Sequence, residues 1–214
     1  MAYVAPFGLF VVFLVGGRRT DFGFWGELAR LLLLTIAVWY FSRRVLDFRV
    51  RNVLGSCVVG VLVFLIWIGP DTLFEGYRGH WLFENALTGS AVISFPEASR
   101  SDPVFLLLRS LRTAMLVPVI EELFWRGWLM RWIVSPDFTK VALGTYAARA
   151  FWITAILFAS EHGPYWEVGL VAGVLYNWWM VQTKRLGDCI LAHAVTNAAL
   201  SGYIIATGEW QYWM

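Results

Sequence analysis

A chain of 214 residues that is 59% hydrophobic, 17% aromatic and only 15% charged, with a mean hydropathy of +0.62, is far from a soluble domain, which is about 45–50% apolar and about 25% charged. Disorder is excluded with it, because this composition has ample apolar surface to bury. The net charge of +2 and the lack of any Lys or Arg run outside short loops exclude nucleic acid as a partner, so the lipid bilayer is the expected surrounding.

In chain order, residues 1–17 are apolar, with no basic residue before them and no small-residue cleavage site, which suits a short first span better than a signal peptide. A second span over 24–42 ends in Arg43 and Arg44, and a third over 52–69 is closed by Pro70. Residues 71–102 turn polar, with Glu75, Arg78, Glu84, Pro96, Glu97 and Arg100, and read as a long loop. Residues 103–134 are apolar again but carry Arg109, Arg112, Glu121, Glu122, Arg126 and Arg131, which must face protein or water because lipid does not tolerate them. Further spans are expected at 141–161, 165–183 and 187–207. The fold class is therefore all-α: a polytopic transmembrane helix bundle of about seven spans, forming a single intramembrane domain over 1–214.

Lys and Arg in short loops set orientation. Arg43, Arg44, Arg49 and Arg51, then Lys140, then Lys184 with Arg185 fall on one side, expected to be cytoplasmic, and 71–102 on the other. Arg18 and Arg19 then lie outside, against the rule. The expected location is the cell membrane, as a multi-pass protein, in a bacterium the inner membrane. Cys57 and Cys189 fall in separate apolar runs and read as packing residues rather than a disulfide framework.

Ionisable and strongly polar groups in mid-membrane call for an explanation, and helical spacing sorts them. Glu122 and Arg126 are four apart and share a helix face, where they can neutralise each other. Glu121 points about 100° away. A carboxylate with no intrahelical partner in a low-dielectric site is made more basic by desolvation, which suits a general base, so Glu121 is the catalytic candidate and Glu122 with Arg126 the supporting pair. His193 and Asn197 are also four apart, and both can donate to a developing oxyanion. His162, four after Phe158, can orient water with Glu121. The plainer readings stand beside these: Glu122–Arg126 as a structural tie, and Asn197 as glue between helices. Glu161 and Glu167 read as interfacial and are assigned no chemistry, and Gly169 with Gly173 suggests close helix packing.

Taken together, Glu121-Glu122-x-x-x-Arg126, Phe158-x-x-x-His162 and His193-x-x-x-Asn197, in this order on three apolar segments, resemble the CPBP family of intramembrane proteases, which includes the type II CAAX prenyl endopeptidases. The resemblance covers about 103–208. Val117-Pro118-Val119-Ile120 and Phe124-Trp125-Arg126-Gly127 further resemble the bacterial CAAX prenyl protease-related branch associated with exosortase and PEP-CTERM sorting. The resemblance implies a glutamate-type, metal-free peptidase without cofactor, acting on a membrane-associated protein or peptide. Glu121 and His162 would activate water, and His193 and Asn197 would stabilise the oxyanion.

The spans place His162 at the outer end of one helix and His193 near the inner start of another, whereas that chemistry needs them at one depth. A turn at 162–165 held below the surface would reconcile the two. No Gly-x-Ser-x-Gly or His-Glu-x-x-His motif occurs. A metal held by Glu121, His162 and His193 remains an alternative, as do a proton-coupled transporter and a non-catalytic binding or immunity protein that retains the polar site.

Overall fold

The structure is a computed structural model and describes residues 1–17, 23–91, 93 and 95–213. Seven main helices run through these residues: α1 Ala5–Gly17, α2 Gly23–Ser42, α3 Val53–Leu73, α4 Pro103–Val134, α5 Ala148–Ser160, α6 Trp166–Thr183 and α7 Leu186–Thr207. Only short 3-10 turns and an isolated bridge between Asn85 and Gly89 accompany them among the described residues. The apolar runs thus form a helical membrane bundle. Helices α2, α3, α4 and α7 are long and apolar enough to cross a bilayer. Leu54, Val58, Val61 and Leu65 of α3 are exposed, as a lipid-facing stripe is. Arg18 and Arg19, whose side of the membrane broke the charge rule, lie outside the described residues.

Two expected boundaries change, and one helix is interrupted. Helix α3 does not close at Pro70 but continues to Leu73, where Phe74 N donates to the Pro70 carbonyl at 3.1 Å. A proline in the last turn removes one helical bond without stopping the turn that follows. The span expected over 141–161 is a helix of only 13 residues, beginning at Ala148. The chain before it is turned by Gly144, at φ 74°, whose Cα lies so close to Lys184 that a Cβ would stand 2.8 Å from Lys184 Cγ. At 1.5 Å per residue α5 is about 20 Å long, shorter than the roughly 30 Å hydrocarbon core. Finally, α4 is one helix of 32 residues, but two π-helical segments interrupt it, Arg112–Leu116 and Trp125–Leu129, on either side of the two glutamates.

The arginines early in α4 are kept from lipid by Glu27 of α2, a buried carboxylate that meets Arg112, Arg109 Nη1 at 3.5 Å and Arg30 Nη1 at 3.7 Å. The long loop is pinned by Arg78, which reaches Asp71 at 3.1 Å and Glu167 at 2.7 Å and lies over the Tyr165 ring at 4.2 Å. Helices α3 and α7 meet at Gly60, where any side chain would strike the Ala192 carbonyl and Val195. That closeness lets Thr196 Oγ1 donate to the Gly60 carbonyl at 2.8 Å.

Asp188, fully buried in the first turn of α7, takes hydrogen bonds from Arg51 N at 3.0 Å, Asn52 N at 2.7 Å and Ser56 Oγ at 3.3 Å. A carboxylate at the start of α3 also complements the helix dipole there. Asp188→Ala should lower stability by about 2–4 kcal/mol, since hydrogen bonds to a charged group are worth about 1.5–3 kcal/mol each and do not add fully. Thermal unfolding in detergent checks this, and an unchanged midpoint would mean that the contact does not hold α3 to α7.

Candidate active site

Between the two π segments, Val117–Phe124 is ordinary α-helix and presents consecutive carboxylates to different surroundings. Glu122 is completely buried. Its Oε1 accepts from Arg126 Nη1 at 3.0 Å and from His193 Nδ1 at 2.9 Å. Arg126 spends its other nitrogens on α6, with Nε on Asn177 Oδ1 at 2.9 Å and Nη2 on the Gly173 carbonyl at 3.2 Å. Asn177 Nδ2 in turn donates to the Phe151 carbonyl of α5 at 2.8 Å. The guanidinium also lies over Phe158 at 4.8 Å and Tyr176 at 5.4 Å. The His193 ring stacks on Tyr176, 5.0 Å between centroids, and Tyr176 is fixed by its hydroxyl on Thr196 Oγ1 at 2.7 Å.

Glu121 faces a different space. It lines a cavity of about 460 Å³ together with Glu161, His162, Tyr176, His193 and Asn197. It is 5% exposed, and its Oε2 has no hydrogen-bond partner. His162 stands in the turn after α5, with Nδ1 2.7 Å from the Phe158 carbonyl. Since a carbonyl only accepts, Nδ1 carries the hydrogen and a neutral ring keeps its lone pair at Nε2. Gly169 makes room for this ring, because a Cβ there would come within 3.2 Å of Nδ1. Glu161 accepts from Trp125 Nε1 at 3.2 Å. One oxygen of Glu121, one of Glu161 and one ring nitrogen of His162 lie within 4.8 Å of one another. A metal ion would find its ligand atoms in this trio, whereas the trio read from the sequence had His193 in place of Glu161.

Asn197 is set by a defect in α4. The Val117 N–H goes five residues back to Arg112, and Pro118 has no N–H, so the Thr113 carbonyl accepts from Asn197 Nδ2 at 2.8 Å. One of the two amide hydrogens of Asn197 is used here and the other remains.

The depth conflict between the two histidines does not arise. His193 stands two turns into α7 rather than at its start, the short α5 brings the His162 turn inward, and both rings lie against Phe158, at 6.2 and 4.7 Å.

Residues 103–199 match the family described as Type II CAAX prenyl endopeptidase Rce1-like. Over this segment the chain is similar to the type II CAAX prenyl endopeptidases. It contains Glu121, Glu122, Arg126, His162, His193 and Asn197, and leaves α1–α3 outside the match. No curated protein and no solved structure matches the chain. The narrower bacterial branch is not reached by this match.

Sequence reading passed over Glu161 and Asn177. Glu161 adjoins the His162 turn and reads as interfacial in the sequence. Asn177 is a polar residue inside an apolar run, the same signal that singled out Asn197. In the pair itself, Glu122→Gln or Arg126→Met should each destabilise the protein by about 3–5 kcal/mol, because each leaves a buried charge uncompensated. The double variant should recover part of that loss. Thermal unfolding of all four proteins in detergent measures the coupling, and strictly additive losses would show that the two charges do not act as a pair.

Proposed function

We propose that this chain hydrolyses a peptide bond in a membrane-associated protein or peptide, as a glutamate-type, metal-independent endopeptidase of the cell membrane, in a bacterium the inner membrane. The observation that carries the reading is the buried Glu121 carboxylate, with one oxygen unpartnered, in a cavity shared with His162, His193 and Asn197. The family match favours hydrolysis over proton-coupled transport or simple binding.

In this reading Glu121 accepts a proton from water while the His162 ring orients it. The water oxygen bonds to the scissile carbonyl carbon, and the carbonyl π electrons move to oxygen. That oxyanion is met by the free Nδ2 hydrogen of Asn197 and by His193 Nε2. With its Nδ1–H held by Glu122, a ring that also donates from Nε2 is the imidazolium, and its charge rests against the Glu122–Arg126 pair. Collapse restores the C=O bond, the C–N pair leaves on nitrogen, and the amine takes a proton from the site. Glu122 and Arg126 hold His193 and take no part in bond making.

Glu121→Gln should abolish cleavage while leaving the unfolding midpoint within a few degrees of wild type, since the amide keeps the shape but cannot accept the proton. Asn197→Ala should lower kcat by about 10²–10³ with little change in KM, and chelators should leave the rate intact. Wild-type cleavage by Glu121→Gln would remove the base from this scheme. Bound zinc lost together with activity would replace the scheme with metal catalysis.

A further inference from the structure

We propose that Glu161 is a further catalytic residue: with Glu121 and His162 it holds the attacking water, and the two carboxyl groups share one proton in the resting enzyme. This rests on the hydrolytic reading and adds a second carboxyl to it.

The argument starts from a count of donors. Glu121, Glu161 and His162 each bring one atom within 4.8 Å of the others. All three offer the space between them only acceptors: two carboxylates, and an imidazole whose Nδ1–H is turned to the Phe158 carbonyl. A single water has two hydrogens, so one of three acceptors is left to face lone pairs unless it carries a hydrogen of its own.

Charge leads to the same place. Two ionised carboxylates this close repel strongly in a buried site. The Arg126 guanidinium has each of its three nitrogens committed, to Glu122, Asn177 and the Gly173 carbonyl. Among the other groups around the site are Glu122 and Trp125 of α4, Tyr176 of α6, and His193 and Asn197 of α7, and the same cavity is lined by Arg30, Arg109 and Arg112, which pair with Glu27. Of these, Trp125 Nε1 is the donor that reaches the pair, on Glu161. A proton held between the carboxyls meets both requirements.

The balance of the reaction then closes. The ionised carboxyl, Glu121, takes a proton from water as the C–O bond forms, and the protonated one, Glu161, gives its proton to the leaving nitrogen as the C–N bond breaks. The pair begins and ends each turnover with one proton, so no reset step is needed.

The test uses the full chain purified in detergent, with a quenched fluorescent peptide carrying a farnesylated cysteine as the probe. Glu161→Gln, which still accepts from Trp125, should lower kcat by about 10²-fold or more and remove the alkaline fall of the kcat–pH profile, while Glu161→Asp restores part of both. A purely structural Glu161 would leave that limb in place, and wild-type kcat with an unchanged profile in Glu161→Gln would overturn the proposal. Infrared difference spectra of the resting protein provide a readout that does not depend on cleavage. A band from one protonated buried carboxyl should be present in wild type and absent from both Glu121→Gln and Glu161→Gln, and its survival in Glu161→Gln would overturn the shared proton. If wild type fails to cleave the probe, the hydrolytic reading loses support while the infrared comparison still decides the proton. Stoichiometric metal in wild type that Glu161→Gln lacks would assign the three groups to a metal instead.

Discussion

A guanidinium buried in the middle of a membrane bundle is the constraint from which the rest of this structure follows. Arg126 is 1% exposed, and leaving such a charge without compensation costs several kcal/mol. The protein meets that demand from two helices: Glu122 from its own α4, Asn177 and the Gly173 carbonyl from α6. Each partner is then fixed in turn, Glu122 by His193 of α7 and Asn177 by the Phe151 carbonyl of α5. Satisfying one charge therefore sets the relative positions of the four helices that form the cavity.

The same network explains why neighbouring glutamates differ so much. Glu122 is tied into the network through Oε1, which takes two donors, while its Oε2 is buried without a partner. Glu121, about 100° around the helix, falls where the network ends and the cavity begins. Close packing on the other side depends on absent side chains. Gly173 lies so near the α5 backbone that a Cβ would be 3.2 Å from Ala155 Cα, and Gly169 clears the same space for His162. A spacing that signals only helix contact in sequence here also shapes the turn that carries His162.

What could be read from the amino-acid sequence was whatever depends on composition and on helical spacing. Apolar runs gave the bundle, and the four-residue intervals of Glu122 with Arg126 and of His193 with Asn197 put each of those pairs on one face. What escaped depends on contacts between distant residues or on local breaks in the helix. Glu161 gains its meaning from Trp125 and Glu121, on another helix. The shortness of α5 follows from Gly144 meeting Lys184, forty residues away in the chain. Periodicity has no term for the π segments, because it assumes one constant angle per residue.

Those segments have a consequence for how α4 can vary. A π segment holds one residue more than the α-turn it replaces, so everything after it is rotated by about 100° relative to a straight helix. Arg109 before Arg112–Leu116 and Arg112 at its start meet Glu27 of α2, while Glu122 beyond it meets α7. The extra residue sets the phase between these two faces. The stretch can therefore exchange one apolar side chain for another, but it cannot lose a residue. A deletion would straighten the helix and turn both glutamates away from their partners, with every residue of the motif still present in the chain.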